Sequence, residues 1–95
     1  QLPNIFEHTD VIPFHYCIRI KDRNSFMPYM TRNGIDTGIH WIPLHNFKYF
    51  RDKSRYKNLK ITEIIEKEIV TLPLHSKMMK KDLVRISESI NKFTK

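Results

Sequence analysis

The side chains best suited to chemistry in this chain are its histidines, its single cysteine and its single tryptophan. Imidazole and thiolate are the ligands that zinc prefers, but structural zinc sites use two close ligand pairs, and only His15 and Cys17 form one here. We therefore predict no metal site. Cys17 beside His15 also suggests a nucleophile and its base, but a cysteine within a strand is most often a packing residue. We predict no catalytic residue in this chain.

The most informative segment is 33–45, which contains both glycines and the tryptophan. Its candidate residues, in chain order, are Gly34, Gly38, His40, Trp41 and His45. An imidazole can donate to a hydroxyl or diphosphate oxygen, and an indole ring offers an apolar face to a sugar or base. Two plainer interpretations stay open: hydrogen-bonded structural histidines, and Trp41 packed in the core beside its isoleucine neighbours. We interpret both glycines as structural, since each can adopt backbone angles that other residues resist.

The charge of the chain raises a nucleic-acid hypothesis. The formal net charge is +7, and segment 46–60 holds six Lys or Arg against one acid, with aromatic residues between them. We predict an exposed basic loop there, and a small basic nucleic-acid-binding or interaction module is the alternative function. However, the chain has 13 Ile, 11 Lys and no Ala, a bias typical of AT-rich genomes. We therefore discount the charge and expect no nucleic-acid partner.

Periodicity predicts the elements that carry these residues. Apolar residues alternate from Phe14 to Ile20, which indicates a strand, and a helix follows from Asp22 or Asn24 to the stop at 33–34. Pro28 fits that helix if it falls in the first turn. A second strand is expected at about 38–42, a helical turn at 61–65 and a third strand at 68–74. Leu83, Ile86, Ile90 and Phe93 then describe an amphipathic C-terminal helix.

These elements predict an α+β fold: a small two-layer sandwich of about three mostly antiparallel strands covered by helices. The 95 residues fit one domain (1–95), with an irregular leading segment at 1–13. No apolar run is long enough to span a membrane, and one cysteine argues against a disulfide-stapled secreted scaffold, so we expect a cytoplasmic protein. The chain starts at Gln1 rather than Met, which suggests a piece of something longer.

Three ordered motifs resemble a known family. They are His15-Tyr16-Cys17-Ile18-Arg19, the stretch from Gly34 through His40-Trp41 to Pro43-Leu44-His45, and Glu68 through Leu72-Pro73-Leu74-His75. Together they resemble the C-terminal region of the DegT/StrS family of pyridoxal-phosphate-dependent sugar aminotransferases, and they span most of the chain. The resemblance implies the small domain of a fold-type-I aminotransferase, or about the last quarter of a family member.

The resemblance also implies an activity for the longer protein. Family members transfer an amino group from glutamate or glutamine, through the cofactor, to a keto-sugar linked to a nucleotide. Carried over by position, His40, Trp41 and His45 would contact the sugar nucleotide. The resemblance places the Schiff-base lysine in a large domain outside this chain, so we expect pyridoxal phosphate in the full-length enzyme, a homodimer, and no cofactor in this fragment.

Overall fold

The computed structural model describes residue 10 and residues 12–53 and 58–95. Strand β1 is Tyr16–Arg19, helix α1 is Arg23–Arg32, and a 3₁₀ turn covers Leu44–Asn46. Helices α2 (Lys48–Lys53) and α3 (Lys60–Glu68) follow, then strand β2 (Ile69–Leu72) and helix α4 (Lys80–Thr94). The fold is therefore α+β, as predicted. No helix in the described ranges is long and apolar enough to cross a membrane.

The sheet of the described residues has two antiparallel strands, with Ile18 of β1 opposite Val70 of β2. On the other side of β2, Gly38 forms one isolated antiparallel bridge with Thr71. The predicted strand at 38–42 is thus not confirmed, because only this bridge is present. One reason is the partner segment: in this antiparallel register residues 41 and 42 would stand opposite 68 and 67, which belong to helix α3.

The core lies on one face of this sheet. Isoleucine and valine side chains of the strands pack there against α1, whose Phe26 and Met30 are fully buried. From α4, Ile86, Ile90 and Phe93 pack against the same cluster. The buried members are Ile18, Ile20, Phe26, Met30, Ile35, Val70 and Leu72. The apolar periodicities therefore predicted the core-facing sides of β1, α1 and α4, although Phe14, Tyr16 and Leu83 are exposed.

Helix α1 is stabilised at both ends. The Asp22 side chain accepts a hydrogen bond from the backbone N–H of Ser25 (3.2 Å), which is an N-cap contact, and the chain leaves the helix at Gly34 with φ +68°. The expectation that Pro28 lies in the first turn is wrong, since it is the sixth helical residue. Burial of Phe26 and Met30 on either side of it compensates for the missing backbone hydrogen bond.

Two predicted irregular segments are only partly described. Residues 46–60 contain the short helix α2, so the prediction of a loop is wrong for Lys48–Lys53. The first helical hydrogen bond there runs from the N–H of Arg51 to the backbone carbonyl of Phe47. Every residue of α2 is exposed, and residues 54–57 lie outside the described residues. Most of the predicted leading segment, residues 1–9 and 11, also lies outside them.

Candidate functional site

The face of the sheet opposite the core carries three aromatic rings, from His15, His40 and Trp41, which we call the ring cluster. The two imidazoles are stacked, with centroids 4.5 Å apart and an interplanar angle of 12°. The indole of Trp41 meets both edge-on, at 4.8 Å from His40 and 5.7 Å from His15. The structure therefore brings together two of the three predicted site residues.

Strand β2 lies beneath the ring cluster and contacts it through Thr71. Thr71 points away from the core, is only 7% exposed, and places its Oγ1 3.0 Å from Nδ1 of His40. The same Oγ1 lies 3.4 Å from Sγ of Cys17, the residue opposite Thr71 on β1. The ring of His40 is thereby tied to the sheet through one nitrogen, and its Nε2 has no hydrogen-bond partner among the described residues.

The two glycines have different roles. Gly34 has φ +68°, as expected for a residue that supplies unusual backbone angles. Gly38 is needed for space instead: a Cβ there would lie 2.6 Å from Cε1 of His40. The imidazole therefore folds back over the Gly38 backbone, and a side chain at position 38 would displace it.

Exposure decides between the interpretations of Trp41. Its side chain is 69% exposed, and the neighbours Ile39 and Ile42 are 37% and 53% exposed, so the core-packing interpretation is wrong. His40 is half-buried and lines an open groove of about 540 Å³ between the turn at 34–38, β2 and α4. The groove also contains Asp36, His75 and Arg85. A rigid indole and an imidazole edge thus lie where a ligand has access.

His45 occupies a different position. It lies in the 3₁₀ turn, with its Nε2 3.7 Å from Oε1 of Glu63 on α3 and its side chain 17% exposed. That Nε2 is buried without a hydrogen-bond partner among the described residues. The structure records no ring contact between His45 and the ring cluster in the described residues, so His45 is not part of the same constellation.

The sequence does not predict His15 as a site residue. Its spacing suggests only a metal ligand or a base for Cys17. The structure makes it the stacking partner of His40, with a buried Nε2 that has no partner among the described residues. The signal available in the sequence was the alternation of β1, which places His15 and Cys17 on the non-core face. Alternation identifies a face, but it does not identify a partner 25 residues away in sequence.

The described residues offer little for metal or cofactor chemistry. No group of three potential metal ligands occurs among them. Covalent attachment of pyridoxal phosphate needs a sheltered lysine, whereas all ten described lysines are exposed and none lines the groove with His40. None of the described lysines therefore has the surroundings that covalent attachment of this cofactor needs.

Comparison with known proteins gives a family match over most of the chain. The model of the DegT/DnrJ/EryC1/StrS aminotransferase family matches residues 4–91. This chain belongs to that family. A curated relative, dTDP-3-amino-3,6-dideoxy-alpha-D-galactopyranose transaminase of Aneurinibacillus thermoaerophilus, is 28% identical over 98% of this chain and 26% of its own length. The family depends on pyridoxal phosphate, as the resemblance of the motifs implied.

Solved structures show the same fold. DesV of S. venezuelae, in complex with a ketimine intermediate, superposes with a TM-score of 0.88 at 18% identity, covering 97% of this chain and 25% of that one. A putative sugar aminotransferase from Streptococcus pneumoniae, in its PMP form, gives 0.67 at 22% identity, covering 82% and 21%. The chain thus spans about a quarter of the length of the relatives it matches.

Proposed function

We propose that this chain is the C-terminal small domain of an aminotransferase that transfers an amino group to a keto-sugar linked to a nucleotide. Family membership supports the reaction class, and the name of the curated relative supports a dTDP-linked sugar as the type of substrate. The remainder of such an enzyme, about three quarters of its length, would supply the Schiff-base lysine and the other half of a homodimer. The chain itself would be inactive alone.

Within this domain, His40 and Trp41 are the proposed substrate contacts. The observation that carries the proposal is the exposed indole edge-on to a half-buried imidazole, beside an open groove. The indole offers an apolar surface to a sugar or base, and the imidazole offers a polar nitrogen to a hydroxyl or diphosphate oxygen. The contacts bind and orient substrate, and they transfer no proton.

His45 is the third proposed contact. Its Nε2 lies 3.7 Å from Oε1 of Glu63 on α3. Because it is separate from the ring cluster, its contact would be with a different part of an extended ligand such as a sugar nucleotide.

The substitution His40→Asn in the full-length enzyme tests the proposal. The asparagine amide matches the Nδ1 edge of the ring and can keep the hydrogen bond to Thr71, whereas nothing replaces Nε2. We expect the KM for a dTDP-linked keto-sugar to rise by the equivalent of about 1–3 kcal/mol, with the melting temperature unchanged. Steady-state transamination with glutamate as donor measures the first quantity, and thermal unfolding measures the second.

Two controls make the test specific. His40→Gln keeps an amide near Nε2 but not near Nδ1, so it should retain substrate affinity better and lose more stability. Tyr49→Ala removes a 63% exposed ring on α2, away from the ring cluster, and should change neither quantity. A His40→Asn enzyme that is destabilised but has an unchanged KM would show that His40 is only structural.

A further inference from the structure

Three polar atoms form a row across the sheet beneath the ring cluster. Sγ of Cys17 lies 3.4 Å from Oγ1 of Thr71, and Oγ1 lies 3.0 Å from Nδ1 of His40. The row is sheltered, since Thr71 is 7% exposed and the other two side chains are half-buried. Buried polar hydrogens need acceptors, so the direction of the hydrogen bonds in this row is constrained.

The row has two possible directions. In the first, the Cys17 thiol donates to Thr71 and the Thr71 hydroxyl donates to Nδ1 of His40, so every hydrogen in the row has an acceptor. In the second, Nδ1–H donates to Thr71, and the hydroxyl hydrogen then has only sulfur, a weak acceptor, available within the row. If the hydroxyl donates to sulfur, the thiol hydrogen has no acceptor within the row, and if Thr71 accepts from both Nδ1–H and the thiol, the hydroxyl hydrogen has none. The first direction is therefore the more stable one.

We infer that Thr71 is a positioning residue, which holds neutral His40 in the tautomer with its hydrogen on Nε2. In the first direction Nδ1 is an acceptor, so the ring hydrogen must be on the other nitrogen. Gly38 contributes by leaving room for the ring above the backbone, with no Cβ to push it away from Thr71. The unpartnered nitrogen of His40 is then a hydrogen-bond donor.

This inference rests on the proposed function and specifies the chemistry that His40 recognises. Diphosphate and carbonyl oxygens accept hydrogen bonds and cannot donate them. A neutral His40 held as Nε2–H matches such oxygens at any pH where the ring is uncharged, whereas the other tautomer would present a lone pair and repel them. Thr71 thus selects for an acceptor-rich ligand group, as in a sugar nucleotide.

Nitrogen-15 NMR of the full 95-residue chain, labelled at histidine, tests the tautomer without any substrate. The spectra are recorded at mildly alkaline pH, where imidazole is neutral, and His40 is assigned from the signals lost in His40→Gln. We expect wild-type His40 to show hydrogen only on Nε2. Thr71→Val should produce a mixture of tautomers, whereas Thr71→Ser, which keeps the hydroxyl, should match the wild type. The signals of His45 and His75 serve as internal controls and should not change.

Kinetics of the full-length enzyme supplies the functional readout. Thr71→Val should raise the KM for the dTDP-linked keto-sugar about fivefold, the equivalent of one ordinary hydrogen bond, at unchanged kcat, and Thr71→Ser should not.

Hydrogen on Nδ1 in the wild type, or an unchanged tautomer in Thr71→Val, would overturn the inference. If the valine variant does not fold, the wild-type spectrum alone still decides. A confirmed tautomer with an unchanged KM would contradict the proposed function while leaving the role of Thr71 intact.

Discussion

At the scale of single residues, the geometry of the site depends on Gly38, which has no side chain. His40 bonds to Thr71 and stacks on His15 only because its ring lies over Gly38, where a Cβ would stand 2.6 Å from the ring. The glycine at 38 thus leaves room for the His40 ring, and its role is not to supply an unusual backbone conformation. Gly34, which has the positive φ, is the residue of the pair that serves the turn.

Gly38→Ala should therefore displace the His40 ring and break its hydrogen bond to Thr71. We expect a loss of about 1–3 kcal/mol in the free energy of unfolding, because a buried hydroxyl loses its partner, together with changed His40 ring signals in NMR. Gly34→Ala is the matched control. It should also destabilise the chain, through the positive φ and a close contact with Arg85, while the His40 signals stay as in the wild type. Identical NMR effects of the two variants would contradict this account.

At the scale of elements, α1 and α4 cover the core face of the sheet and leave the other face to the ring cluster. The α1–α4 contact is centred on Phe26, whose ring meets that of Phe93 at 5.1 Å in a T-shaped arrangement. Arg23 joins α1 to the junction of α3 and β2 by donating to the backbone carbonyls of Glu66 and Ile69. The helices therefore hold β2 in place, and with it Thr71.

Phe26→Ala should remove the centre of this packing. Phe26 is 0% exposed, so its truncation is expected to cost about 3–5 kcal/mol, measured as the change in the free energy of unfolding in urea. Phe14→Ala provides the comparison, because Phe14 is 83% exposed and should change stability by no more than about 0.5 kcal/mol. Equal losses in the free energy of unfolding for the two variants would contradict the placement of Phe26 in the core.

At the scale of the whole molecule, a net charge of +7 is the feature that competes with the proposed function. Helix α2 is fully exposed and carries Lys48, Arg51 and Lys53, with the ring of Tyr49 beneath the ammonium of Lys53 at 4.2 Å. Basic and aromatic side chains of this kind bind single-stranded nucleic acid. The groove beside His40 contains no residue of α2, so we expect only a diffuse electrostatic attraction.

We predict that nucleic acid binds with no sequence preference and with a dissociation constant no tighter than about 10⁻⁶ M at physiological salt. Fluorescence anisotropy with two unrelated oligonucleotides over a salt series measures both properties. The double substitution of Lys48 and Arg51 by Gln should reduce the salt dependence no more than the same change at Lys80 and Lys81 on α4, since neither pair belongs to a dedicated site. Nanomolar, sequence-specific binding abolished only by the α2 substitutions would favour the nucleic-acid module.

The sequence by itself determined the α+β class, the core faces of β1, α1 and α4, and the segment that holds His40 and Trp41. These features are local: apolar periodicity and capping residues depend on neighbours a few positions away. The three family motifs added the expected activity, because their order and spacing match the family pattern although most other residues differ from those of its members.

Only the tertiary structure decided how the site is assembled. The bond from His40 to Thr71 joins residues 31 positions apart, and the stack of His15 on His40 joins β1 to a segment beyond α1. Periodicity indicates which face of a strand is buried, but it cannot indicate which ring lies above which hydroxyl. The same reason explains why the sequence predicts a strand at 38–42 whereas only the bridge at Gly38 forms: ladder pairing depends on the partner segment, where residues 67 and 68 belong to α3 instead of extending β2.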